Sequence, residues 1–215
     1  MKSIVILISG RGSNMELLLD AAASGALPVR VAAVLSNRPQ AKVLEVAAAK
    51  GVATRVVDHQ NYSRREDFDA AMAAEIDAHA PDLVVLAGFM RILSDAFVEH
   101  YAGRLINIHP SLLPAYPGLH THRRALEDGV RVHGCTVHFV TPTLDHGPIV
   151  IQAAVPVLDG DDEVSLAARV LLQEHQIYPL AVRWFVEGRL KLQDGRVVFN
   201  TPQSAGSALV SPLLQ

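Results

Sequence analysis

A single cysteine in 215 residues, Cys135, excludes an internal disulfide framework and any multi-cysteine metal site, and it fits a reducing compartment. An excess of one charge is also missing. The 19 Lys and Arg are scattered against 22 Asp and Glu, with a net charge of −3, so there is no footprint for a phosphate backbone and nucleic acid is not an expected partner. Long hydrophobic runs are absent as well. The apolar stretch after Lys2 stops at Ser9 and Gly10, too short for a secretion signal, and no later stretch reaches bilayer length, so the expectation is a cytoplasmic chain with no membrane partner. No internal repeat or linker is present. Half the residues are hydrophobic, enough to bury a core in one domain, expected over residues 1–200, with a frayed tail at 201–215 that is rich in Ser, Pro and Gly.

The chain alternates short buried strands with amphipathic helices. Ser3 to Ile8 is a continuous β-branched run that ends in Ser9-Gly10-Arg11-Gly12-Ser13-Asn14, where a helix begins with Met15, Leu18, Leu19 and Ala22 at helical spacing. Strands follow at Val29 to Leu35, Thr54 to Val57, Leu83 to Leu86 and Leu105 to Ile108, with helices at Lys42 to Lys50 and Arg64 to His79 between them. This order predicts an α/β fold built on a doubly wound, mostly parallel, Rossmann-like sheet. The second half is less regular. A proline-rich loop and a short helix at Arg123 to Leu126 lead to two longer strands, Val132 to Val140 and Ile149 to Val157, expected to pair antiparallel around the turn Thr141 to Pro148. A helix from Asp162 to about Val186 and a hairpin through Asp194-Gly195 close the pattern.

Several motifs are conspicuous by their absence. Met15 stands where a dinucleotide fingerprint would need its third glycine, and the second strand ends in Ser36-Asn37-Arg38 with no acidic residue for a ribose hydroxyl; only Arg38 keeps an NADP reading open. No G-x-S-x-G elbow makes Ser111 a nucleophile, and His120 and His122 have neither a companion cysteine nor an HExxH pattern, so no metal is expected. What remains at Gly10 to Asn14 is a strand-to-helix turn whose N–H groups and helix dipole suit a phosphate, or else a plain cap made by Ser13 or Asn14.

Asn107 and His109 alternate on one strand end, so their side chains leave the same face and can address one reacting atom. An amide donor and an imidazole suit acyl transfer, and Asp145, if the fold brings it near, would stabilise the protonated ring. The alternatives are a strand-end cap, a satisfied histidine before Pro110 and an aspartate chosen for its turn.

Taken together, Ile8-Ser9-Gly10-Arg11-Gly12-Ser13-Asn14, Leu86-Ala87-Gly88-Phe89-Met90-Arg91-Ile92-Leu93, Asn107-Ile108-His109-Pro110-Ser111-Leu112-Leu113-Pro114 and Leu144-Asp145-His146-Gly147-Pro148 closely resemble the phosphoribosylglycinamide formyltransferase family, folate-dependent enzymes of purine synthesis. The likeness runs to about Leu192. The Asn-x-His block is shared with the wider group of 10-formyltetrahydrofolate enzymes, including methionyl-tRNA formyltransferases and formyltetrahydrofolate hydrolases, but length and the Gly-Ser-Asn loop favour glycinamide ribonucleotide as acceptor. The resemblance implies 10-formyltetrahydrofolate as cosubstrate, no metal, small-molecule partners only, and formyl transfer through a tetrahedral intermediate held by Asn107 and protonated His109 with Asp145 behind it. It further implies that Gly12, Ser13 and Asn14 hold the substrate phosphate and Glu174 the glycinamide or ribose end. Arg65, with Arg64 as a rival, would meet the folate carboxylates, while Met90, Arg91, Ile92 and Leu93 and the turn Val140 to Asp145 would wall the pterin. His146 and Pro142 depart from the family pattern in that turn.

Overall fold

β1 (Ser3–Ile8) is buried at every residue, as a strand covered on both faces must be. It is the middle strand of the first half of the chain in this computed structural model, which describes residues 1–41, 43–201, 209 and 211. The chain continues through α1 (Ser13–Ala23), β2 (Arg30–Ser36), α2 (Val43–Ala49), β3 (Ala53–Val56), α3 (Arg65–Asp77), β4 (Leu83–Leu86), α4 (Asp95–His100) and β5 (Leu105–His109). There follow α5 (Thr121–Glu127), β6 (Val132–Phe139), β7 (Ile149–Pro156), α6 (Glu163–Val186), β8 (Leu190–Gln193) and β9 (Arg196–Phe199). A seven-stranded sheet has the order β3-β2-β1-β4-β5-β6-β7. The β1–β2, β1–β4, β2–β3 and β4–β5 pairs are parallel, and β6–β7 is antiparallel, as the alternation of elements predicts. The expected frayed tail lies almost wholly outside the described residues.

Contacts divide the chain into two compact units, Met1–Asn107 with Phe139–Pro142, and Ile108–His138 with Thr143 onward. In the first unit, Val5, Leu7, Leu35, Phe68, Met72, Ile76, Val84, Phe97 and Tyr101 form a hydrophobic cluster. Each such side chain contributes roughly 1.5–3 kcal/mol when fully buried. The strand order reverses on either side of β1, so the carboxyl ends of β1 and β4 form the switch point where open α/β sheets take ligands.

The second unit hangs on α6. Asp162 and Ser165 form a reciprocal capping box at its start, and the stripe Leu166, Val170, Ile177, Tyr178, Ala181 and Val182 is buried. The β6–β7 ladder is tight at Gly134, where a Cβ would run into the carbonyl of Ala153. The β8–β9 hairpin turns through Asp194 and Gly195, both at positive φ, and sets Phe199 edge-on against Trp184. No helix among the described residues is long and apolar enough to cross a membrane.

Candidate active site

The loop after β1 ends on Gly12, which occupies the N-cap of α1 at φ 73° with no side-chain cap bond. A residue with a Cβ would be strained there and would collide with Val43. Ser13 and Asn14 lie inside the first turn of α1 and not at the cap, so the plain-cap alternative loses its geometry. A helix leaves its first N–H groups unsatisfied by its own carbonyls, and together with the dipole they make this turn suited to an anion.

Ser9 ties this loop to two neighbouring strand ends. Its hydroxyl donates to Asn37 Oδ1 at 2.5 Å, just after β2, and accepts from the Met90 amide at 2.8 Å, just after β4. Asn37 in turn meets His59, whose Nδ1 lies 2.7 Å from the Asn37 carbonyl. Arg65 starts α3 on the surface and has no ion-pair partner among the described residues, whereas Arg64 pairs with Glu66 at 3.6 Å. Met90 and Ile92 are exposed, Leu93 is buried, and the Arg91 guanidinium lies 4.9 Å from the centre of the Phe68 ring.

Asn107 and His109 both belong to β5, and His109 is only 6% exposed. His109 Nε2 lies 2.9 Å from the Tyr116 carbonyl, which can only accept, so Nε2 carries a proton. Ser111 Oγ, 3.2 Å from the same carbonyl, helps fix it. The other ring nitrogen, Nδ1, faces Asp145 Oδ2 at 3.6 Å. That distance allows charge attraction and is too long for a hydrogen bond. Asp145 holds φ 51° in the turn between β6 and β7, and its Oδ2 accepts the Gly118 amide at 2.8 Å. Its Oδ1 faces His138 Nε2 at 3.8 Å. The fold therefore brings Asp145 to His109 across 36 positions of sequence.

Glu174 lies on the buried stripe of α6, where the helical pattern would place an apolar side chain. Its charge acts on both Cys135 and Tyr178. Burial, reinforced by Glu174, pushes the Cys135 thiol up to about 12 and raises the Tyr178 phenol.

Three histidines near this chemistry carry no signal in their own sequence neighbourhoods. His138 follows Thr136 in the β6 alternation, and only the positive-φ turn at Asp145 brings the carboxylate to it. His133 and His122 meet nitrogen to nitrogen at 3.2 Å, and the His133 ring stands edge-on to Tyr116. Burial, and then the His122 charge, lower His133 to about 4; burial lowers His122 too. Both rings are thus neutral near pH 7. His120, the other half of the apparent ligand pair, is the left-handed N-cap of α5, and no group of three or more His, Cys, Asp or Glu among the described residues could hold a metal ion.

Comparison with known proteins gives consistent matches. A family model described as formyl transferase matches residues 2–182. The chain is 56% identical over 192 residues to the phosphoribosylglycinamide formyltransferase of Escherichia coli (strain K12), covering 89% of this chain and 91% of that protein. The crystal structure of glycinamide ribonucleotide transformylase 1 from Symbiobacterium toebii superposes with a TM-score of 0.90 at 50% identity, covering 93% of this chain and 94% of that one. A formyltetrahydrofolate deformylase from Burkholderia mallei is also similar, with a TM-score of 0.84, but at 29% identity and over 70% of that chain.

Proposed function

Because the chain belongs to the formyl transferase family, we infer that it moves the formyl group of 10-formyltetrahydrofolate onto the amine of 5′-phosphoribosylglycinamide, a step of purine nucleotide synthesis. One arrangement carries the reading: a buried imidazole with one nitrogen occupied by the Tyr116 carbonyl and the other turned towards a carboxylate, on the strand that also bears Asn107.

The amine attacks the formyl carbon and a carbon–nitrogen bond forms as the carbonyl oxygen gains negative charge. The Asn107 amide and His109, protonated at Nδ1, donate to that oxygen. Asp145 Oδ2 faces Nδ1 across 3.6 Å and makes no hydrogen bond to it, so the Nδ1 proton is left for the substrate oxygen. Collapse of the tetrahedral intermediate breaks the bond to the folate nitrogen, which takes the proton lost by the amine. Neither a covalent enzyme intermediate nor a metal takes part.

The anion seat at Gly12, Ser13 and Asn14 receives the substrate phosphate, and Glu174 contacts its glycinamide or ribose end. Arg65, unpaired on its own helix, meets the folate carboxylates. Met90, Arg91, Ile92 and Leu93 wall the pterin. Residues 1–200 work as one formyltransferase domain, and the reaction takes place in the cytoplasm.

Hydrolysis, with water in place of the amine, is the rival reaction, and the greater identity to the transferases weighs against it. A spectrophotometric assay of tetrahydrofolate formation decides between them. The expected result is turnover that depends on added glycinamide ribonucleotide; the same rate of formate release without it would replace the transferase by a hydrolase.

A further inference from the structure

We propose that Ser9 and Asp69 are positioning residues that clamp the two ends of the Met90–Leu93 segment and so preform the wall against which the folate cosubstrate packs, an inference that rests on the formyl-transfer reading above.

The segment follows β4 and is odd on physical grounds. Met90 is 63% exposed and Ile92 59% exposed, while Phe89 and Leu93 on either side point into the core. Two large apolar side chains held out together gain nothing for stability, but they offer surface to a flat, partly apolar ligand. The gain depends on their being held still, since ordering a loose loop on binding costs about 1–2 kcal/mol per residue.

Both ends are held by side chains that water cannot reach. At the near end the Met90 amide donates to Ser9 Oγ at 2.8 Å, and that hydroxyl gives its own proton to Asn37 Oδ1 at 2.5 Å, so it cannot rotate away. At the far end the Ser94 amide donates to Asp69 Oδ2 at 2.6 Å, a short charge-assisted bond. Ser9 and Asp69 are each only 2% exposed. Between the clamps, Arg91 lies over the ring of Phe68, the residue beside Asp69 on α3.

Asp69 does not look like a stability device. Its other oxygen, Oδ1, is buried without a hydrogen-bond partner among the described residues. A half-satisfied buried carboxylate costs stability relative to a well-packed neutral residue, so what it supplies is the strength and direction of a single bond to the backbone. Asp69 also lies one helical turn beyond Arg65 on α3, so one helix would carry both a folate-carboxylate contact and a clamp on the pterin wall. Ser9, in turn, links that wall to the loop leading into Gly12.

The test compares Ser9→Ala and Asp69→Ala with the rescuing variants Ser9→Thr and Asp69→Asn, which keep an oxygen at the accepting position. Tetrahydrofolate binding is measured by calorimetry alongside KM for 10-formyltetrahydrofolate, kcat and urea stability. Each alanine variant is expected to raise both the tetrahydrofolate Kd and the 10-formyltetrahydrofolate KM about threefold to tenfold, as loss of one fixing hydrogen bond implies. The kcat at saturation should fall by less than about twofold, with Asp69→Asn and Ser9→Thr recovering most of the affinity. Folded alanine variants that bind tetrahydrofolate as the unaltered protein does would overturn the clamp, as would a kcat loss at unchanged KM, which marks general damage. If Ser9→Ala does not fold, the comparison of Asp69→Ala with Asp69→Asn decides the matter by the same criteria. Failure of the unaltered protein to bind tetrahydrofolate would overturn the formyl-transfer reading itself, and the clamp with it.

Discussion

Asp145 answers to two demands at once. Its carboxylate holds the Gly118 amide at 2.8 Å and faces two histidines, while its own backbone sits at φ 51°, a region that aspartate tolerates better than most residues. Replacing it by asparagine separates the demands, because the amide oxygen can still accept from Gly118 whereas the negative charge opposite His109 is gone. We expect Asp145→Asn to lower kcat by about 10²–10⁴-fold, the range for loss of acid–base function, with little change in KM or melting temperature. Steady-state kinetics and a thermal melt check this; a loss below about threefold would remove Asp145 from the reaction. Asn107 and His109 were legible in the sequence because strand alternation alone puts them on one face. The approach of Asp145 to His109 was implied by the family resemblance and not by spacing, because it depends on where a turn 36 residues away comes to rest. Ser9 was legible only as part of a motif: nothing in a serine following a strand announces that its hydroxyl links three strand ends.

Helix α6 shows how an element is secured at its start. Asp162 caps it with Ser165, and Asp161 receives Arg169 through paired bonds of 2.6 and 2.8 Å, which hold the Asp161 carboxyl well below the usual carboxylate range. A depressed pKa in the folded state means that this stabilisation is complete above the unfolded carboxylate pKa and is lost as pH falls through the folded one. Asp161→Asn should therefore lower stability by about 2 kcal/mol at pH 7, with the gap to the unaltered protein closing below about pH 4. Urea unfolding across that range is the check, and a gap that did not depend on pH would deny the ion pair its role. The long helix was readable from its apolar spacing, and so was the β6–β7 pair. By contrast α4 was not: Asp95–His100 is six residues long, too short to establish a period, and its clearest mark is the Ser94 side chain accepting the Phe97 amide. The exposed strand β3 was readable from its β-branched residues, although its place at the sheet edge was not.

For the whole molecule, His133 sets an acid limit on folding. Burial and the adjacent His122 lower it to about 4, against about 6.5 for a free imidazole, so the unfolded chain takes up a proton where the folded one does not. Stability is therefore full above about pH 6.5 and declines as pH drops towards about 4, by about 3 kcal/mol from this group alone. His133→Gln should flatten that decline even if it lowers stability overall, and urea midpoints between about pH 4.5 and pH 7.5 would reveal it. Equal slopes in the two proteins would assign the acid sensitivity elsewhere. Such a limit could not be read from a chain with ten histidines, because burial, and not residue type, decides which of them resists a proton.

The solitary sulfhydryl has a practical side. Only a thiolate reacts with alkylating reagents, and Cys135 is fully enclosed with its ionisation pushed up to about 12. While the fold is intact, a maleimide finds nothing to attack, and there is no second thiol to blur the signal. Every labelled molecule has opened at least once, so the chain carries its own stopwatch for transient unfolding, ready to be read by mass spectrometry without adding a probe.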